Sequence, residues 1–252
     1  MEKWLLAGFW GLVSGSALVI GSLAGYYLKI SQRAVAIIMG FGAGVLISAL
    51  SFELMDEAYK TGGFRSTAFG FIAGAVIYSV ANYLLAGKGA KHRKRSGEQQ
   101  PSEDEHSGSG TAIALGALLD GIPEAIAIGI SMIQGGAVSI ATVIAIFISN
   151  IPEGLSSSAG MKNAGRSKTF IFGIWIAIAV LTGIAAILGY TVFADLSPGV
   201  NAATIAIAAG AILTMLADTM MPEAFEKGHN LIGVVTVFGF LCAFILSKLA
   251  GG

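Results

Sequence analysis

Long stretches without a single charge constrain this chain more than any other feature. Residues 4–28, 34–52, 66–86 and 169–194 contain no Asp, Glu, Lys or Arg, and 200–217 and 230–247 are likewise uncharged. Residues 111–134 and 135–161 are equally apolar apart from Asp120, Glu124 and Glu153. A helix needs roughly 20 predominantly apolar residues to cross a bilayer, so these runs predict eight spans. A soluble bundle would show polar faces at helical spacing, and these runs show none. The bulk numbers agree: charged residues are 12% of the chain, about half the soluble average, and mean hydropathy is +0.78. The expected fold is an all-α integral membrane protein. Helices 1–3 fall in residues 1–86, a polar loop in 87–110, helices 4–5 in 111–161 and helices 6–8 in 162–252. The lipid bilayer is the first partner implied, and a net charge of zero offers no surplus for nucleic acid.

Eight spans place both termini on one side, and basic residues set which side it is. Joining the spans in order puts Lys29, Arg33, Lys88, Lys91, Arg93, Lys94, Arg95, Lys162, Arg166, Lys168 and Lys227 on one face, leaving Lys3, Lys60, Arg65 and Lys248 on the other. The basic loops are therefore expected in the cytoplasm and both termini outside a cell membrane crossed many times. The first span exceeds the apolar core of about 7–15 residues found in a cleaved signal peptide, so it is read as a retained helix.

Residues 87–110, GKGAKHRKRSGEQQPSEDEHSGSG, break the pattern. The segment is polar, rich in Gly and Ser, basic first and acidic later. No hydrophobic period equips it to bury a face, which predicts a flexible cytoplasmic linker between spans three and four. Its His92 and His106 are expected to be solvated.

Two internal similarities follow. AGVLISALSFELMDEAY (43–59) aligns with AGAILTMLADTMMPEAF (209–225), sharing Ala43/Ala209, Gly44/Gly210, Leu50/Leu216, Met55/Met221, Glu57/Glu223 and Ala58/Ala224. LLDGIPEAIAIG (118–129) resembles FISNIPEGLSSS (147–158), both carrying Ile-Pro-Glu. In each pair the two copies cross the membrane in opposite senses, the expectation for inverted-topology repeats.

The second pair carries the chemistry. Proline 123 has no N–H for the carbonyl of Leu119, and Pro152 none for that of Ile148, which lipid tolerates only beside polar groups. Asp120 and Glu124 are four apart and share a helix face, while Asn150 and Glu153 are three apart and share another. A carboxylate at mid-membrane costs about 2.5–3.5 kcal/mol on insertion scales, so three of them require compensation. No Lys or Arg lies in any of the eight spans. Protonation would suit a proton path, whereas oxygen ligands converging from two helices favour a visiting divalent cation.

With these motifs in hand, the chain resembles the ZIP (Zrt/Irt-like) metal transporters, and most nearly their GufA-like prokaryotic branch. The resemblance covers essentially the whole chain. It rests on DGIPEA in span four and SNIPEG in span five, with support from MMPEAFEKGH closing span seven. It implies uptake of divalent ions such as zinc, manganese, iron or cadmium toward the cytoplasm by alternating access. It also implies that Glu124 and Glu153 are shared metal ligands and Asn150 a further one. No resident cofactor is expected, since the ion is the cargo.

Departures from the family pattern shape the expected site. Asp120 stands where the family usually has His, Gly121 where it has Asn, and Ala125 where it has Gly. Ser149 occupies a position where relatives often have His or Gln. Span six lacks the acid that some relatives use for a second metal. An oxygen-only site is harder and better suited to Mn²⁺, Fe²⁺ or Mg²⁺ than one with imidazole. The candidate metal residues are thus Asp120, Glu124, Ser149, Asn150 and Glu153, with Asp218 at a position where ions enter or leave. Glu53 belongs to the same class by repeat, His229 is a candidate for the cytoplasmic mouth, and Glu57 and Glu223 are read as helix caps. Two other functions compete with transport: a non-transporting metal sensor, and an intramembrane hydrolase using metal-activated water. The hydrolase is disfavoured because no nucleophile–base pair is visible, and Cys242 stands alone. A homodimer is left open.

Overall fold

The computed structural model describes residues 2–135 and 139–250, and among them every regular element is helical. Helix α1 (Lys3–Tyr27) is followed by α2 (Gln32–Ala49), which passes through one π-helical turn (Leu50–Leu54) into α3 (Met55–Ala86). Next come α4 (Ser109–Gly135), α5 (Ile140–Asn163) and α6 (Lys168–Phe193). Then α7 (Pro198–Met215) runs through a second π turn (Leu216–Met220) into the short α8 (Met221–Gly228), and α9 (Leu231–Ala250) closes the chain. The join expected between spans four and five includes 136–138, outside the described residues.

Among the described residues, seven helical stretches are long and apolar enough to cross a membrane. One of them, Gln32–Ala86, has 55 residues and at 1.5 Å per residue would measure about 80 Å, well over twice a hydrocarbon core. It is broken at Gly63, whose φ of 69° and ψ of −177° suit a residue without Cβ. Its two arms pack on different partners, α2 along α9 and α3 along α7.

Serines start four of these helices. The hydroxyl oxygens of Ser31, Ser139, Ser167 and Ser197 accept the amides of Ala34, Thr142, Phe170 and Val200. Each satisfies a first-turn N–H that has no partner within its own helix.

Burial runs opposite to that of a water-soluble domain. Phe69, Ile72, Val76 and Val80 on α3 and Val234, Val237 and Phe238 on α9 are exposed, whereas Asp120, Glu124, Asn150 and Glu153 are buried. Hydrocarbon solvates the first group and not the second. Helices meet where small residues let backbones approach. A Cβ at Gly21 of α1 would overlap the Ile151 carbonyl, and one at Gly154 of α5 would overlap that of Leu18. This contact seats α5 on α1, beside the acids.

The segment 87–110, expected as a flexible linker, is placed against the helices. A 3₁₀ turn at Ala90–His92 leads into residues of which Arg93, Lys94, Ser96 and Gln100 are buried.

Candidate metal site

Asp120 and Glu124 lie one turn apart on α4, and Ser149, Asn150 and Glu153 occupy one turn of α5; all five are buried. Pro123 and Pro152 sit within helices that continue through them, so the carbonyls of Leu119 and Ile148 lose their amide partners without a break in the chain path. The two helices barely touch. α4 is held by α6 and α5 by α1, which leaves their acidic faces opposed.

Side-chain commitments distinguish the α5 residues. Asn150 donates its amide nitrogen to the Ser14 carbonyl of α1 at 3.1 Å, so Oδ1 is its remaining ligand atom. Ser149 donates its hydroxyl to the Ile146 carbonyl at 2.9 Å, which ties it to its own helix.

The compensating charge comes from the loop. Lys94 Nζ stands 3.2 Å from Asp120 Oδ2 and 3.0 Å from Glu153 Oε2, bridging α4 to α5. Arg93 donates Nη2 to Asp120 Oδ1 at 3.1 Å and Nε to Asp120 Oδ2 at 3.3 Å. It also donates to the Tyr78 hydroxyl at 2.7 Å and to Asn82 Oδ1 at 2.8 Å. Tyr78 in turn donates to Asp120 Oδ1 at 2.6 Å. Side chains of Arg93, Lys94 and Asp120 are each only 3% exposed, so none of these charges is shared with solvent. Removing one partner of such a buried pair typically costs about 3–5 kcal/mol. Glu124 faces the charges of Glu153, Lys94 and Asp120 and has no ion pair of its own among the described residues.

The loop backbone is fastened as well. Ser156 Oγ donates to the Lys94 carbonyl at 2.6 Å. Gln100 Nε2 donates to the carbonyls of Arg93 and Arg95 and to that of Ser157 on α5. Arg95 pairs with Glu223 at 2.9 Å and with Glu226, both on α8. Glu223, read from sequence as a helix cap, is thus an anchor for the loop.

Asp218 is not brought to this cluster. It is exposed in the second π turn and lines an open cleft of about 790 Å³ with Asn82, Lys88, Lys91 and Thr219. Glu53, in the first π turn, accepts hydrogen bonds from Ser139 and Ser247. His229 is exposed and ends α8 with a φ of 50°. Among the described residues no three His, Cys, Asp or Glu side chains are gathered closely enough to hold a metal as they stand.

Sequence reasoning missed Tyr78, Arg93, Lys94 and Arg95. The signal was the run Lys91–Arg95 itself: adjacent cations in a chain whose buried acids lacked partners.

No protein-family model matches the chain. Curated relatives do. Zinc transporter ZupT of Clostridium perfringens (strain 13 / Type A) is 25% identical over 99% of this chain and 97% of its own length. The protein of that name from Streptococcus mutans serotype c is 27% identical over 94% of each chain. That from Salmonella heidelberg is 29% identical over 95% of this chain and 93% of its own. The chain is thus similar, over nearly its whole length, to proteins named as zinc transporters. The resemblance read from DGIPEA and SNIPEG therefore extends over nearly the full length of several relatives. Asp120, Glu124 and Glu153 lie in those two motifs, and the relatives are named as transporters.

Proposed function

We propose that this protein carries divalent metal cations across a membrane, through a carboxylate site between α4 and α5. The observation that carries the reading is the burial of three acids on two proline-bearing helices of membrane length, in a relative of zinc transporters. Glu124, Glu153 and Oδ1 of Asn150 are the ligands proposed, with Asp120 shared between the cation and the loop. Ser149 lies beside them, and Asp218 serves a mouth of the path. Zinc is the cargo that the relatives' names favour. Manganese and iron(II) follow from the all-oxygen donor set, since carboxylate and carbonyl ligands suit harder ions.

The architecture proposed is eight crossings built as inverted repeats. The Gly63 break divides Gln32–Ala86 into two arms. The π turns at Leu50–Leu54 and Leu216–Met220 fall on the same positions of the aligned stretches 43–59 and 209–225. Helix partners are consistent with the exchange α1/α6, α2/α7, α3/α9 and α4/α5: α3 packs on α7 as α9 does on α2, and α5 on α1 as α4 does on α6. Aligned Gly44 and Gly210 make equivalent close contacts, against the carbonyls of Thr236 on α9 and Phe71 on α3. Two halves related in this way supply the rigid units that alternating access requires. The basic loops are assigned to the cytoplasm by their charge, and transport is directed toward that side.

Uptake of Zn²⁺, Mn²⁺, Fe²⁺ and Cd²⁺ into vesicles holding the purified protein tests the reading. The wild type is expected to admit at least one ion, and Glu124→Ala/Glu153→Ala to abolish uptake while remaining monodisperse. Metal binding without entry of any ion would replace the transporter by a sensor.

A further inference from the structure

The loop reaches into the proposed metal site with its own cations, and this has a consequence for how the site works. Lys94 Nζ lies between Asp120 and Glu153, 3.2 and 3.0 Å from their oxygens, where an ion shared by α4 and α5 would also have to lie. Arg93 adds a second positive charge on Asp120. Together the two side chains bring the same charge as one divalent cation. Exchanging them for the metal therefore conserves the charge of a low-dielectric pocket, where uncompensated charge is most costly.

The seat for the loop is built into the helices. Ser156 and Ser157 of α5 hold the segment through its backbone and through Gln100. Asn163, at the end of α5, donates to the Ser96 carbonyl at 3.1 Å. A Cβ at Gly116 of α4 would stand 2.5 Å from Arg93 Cδ, and one at Gly160 of α5 would overlap the Arg95 carbonyl. α8 closes the other side through Glu223, which accepts the Ser96 amide at 3.3 Å and pairs with Arg95. Four elements thus converge on residues 93–96: α3 through Tyr78 and Asn82, and α4, α5 and α8. A loop that met the bundle only through mobile lysines would not be matched by glycine clearances and backbone hydrogen bonds.

We infer that residues 93–95 form a tethered competitor for the metal, a latch in which Lys94 and the cation are alternative occupants of the space between Asp120 and Glu153. The inference rests on the site reading given above. Asp120 holds the latch through Arg93, Lys94 and Tyr78, so its charge serves the loop as well as the cargo. Metal binding expels Lys94, and the released loop uncovers the path beneath it. Loss of metal lets the loop return, which closes the path from the side on which the loop lies.

The test uses the full-length protein with zinc ion as the probe and reads three quantities: zinc affinity, trypsin cleavage after Arg93 and Lys94, which are buried where Lys91 is exposed, and uptake into vesicles. In the wild type Arg93 and Lys94 are expected to resist cleavage without zinc and to become cleavable as zinc binds. A latch docked about nine-tenths of the time lowers apparent affinity about tenfold, so Lys94→Gln is expected to bind zinc about tenfold more tightly. Asp120→Asn is expected to expose Arg93 to trypsin with no zinc added, a readout that survives if Lys94→Gln does not fold. Unchanged zinc affinity in folded Lys94→Gln, or zinc binding that leaves Arg93 and Lys94 of the wild type resistant, overturns the latch. Zinc that unlatches the loop but does not enter vesicles refutes transport and upholds the latch. Uptake that is indifferent to Lys94→Gln does the reverse.

Discussion

Glu103 shows how single residues fix the far end of the loop. Its carboxylate pairs with Arg166 and accepts the backbone amides of Gly108 and Gly110. The hydrogen bond from Arg166, then that from Gly108, hold its pKa down from 4.5 to about 2. A depressed carboxylate contributes stability that is present above the unfolded pKa and lost as pH falls through the folded one. The anchor at residues 101–110 is therefore expected to hold at pH 5 and to loosen progressively as pH falls from about 4.5 toward 2. Hydrogen exchange of the 101–110 amides across that range checks this, and Arg166→Ala should reproduce the loosening at neutral pH. Asn150 works in the span itself. Asn150→Ala removes its bond to the Ser14 carbonyl and is expected to cost about 0.5–1.5 kcal/mol in a detergent melt, besides weakening metal binding through the lost Oδ1.

At the scale of the helix, contact depends on the absence of side chains. Gly154 of α5 lies on the Leu18 backbone of α1, and the same helix carries Asn150 and Glu153. Gly154→Ala is expected to destabilise the protein by roughly 1–3 kcal/mol, the usual range for overpacking, and to reduce uptake by shifting Glu153 away from α4. Gly173 on α6 is the control, because a Cβ there meets nothing within 4 Å. Gly173→Ala should be neutral or gain a few tenths of a kcal/mol from helix propensity. Thermal unfolding of both variants in one detergent decides the matter; equal effects would show that the α1–α5 contact is loose.

The whole molecule raises the question of sidedness. Cys242 is the only cysteine, so a Cys242→Ala background accepts single probes. A cysteine at Ser107, in the polar loop, is expected to react with a membrane-impermeant maleimide only after permeabilisation. One at Glu2 should react in intact cells. Labelling of Ser107→Cys from outside would invert the assigned direction of transport.

Much of this protein was legible in its sequence because hydrocarbon is an exacting solvent. Charge-free runs of membrane length leave little choice but helices, and three acids in such runs identify themselves by their cost. Asp120, Glu124 and Glu153 stood out in that way, Asn150 by its place in the second Ile-Pro-Glu copy, and all four are buried on α4 and α5. The run of cations at 91–95 was equally visible but was read as a solvated signal of topology, because a polar segment carries no periodicity to say what it packs against. Burying it depends on contacts from Tyr78, Ser156, Ser157 and Glu223, which are scattered along the chain and meet only when the helices assemble. The sequence alone determined the solvent, the helices and the acids, since each follows from local composition and the price of burying charge. Which cation answers those acids is a pairing across distant segments, and only the tertiary structure decided that it is Lys94 and Arg93.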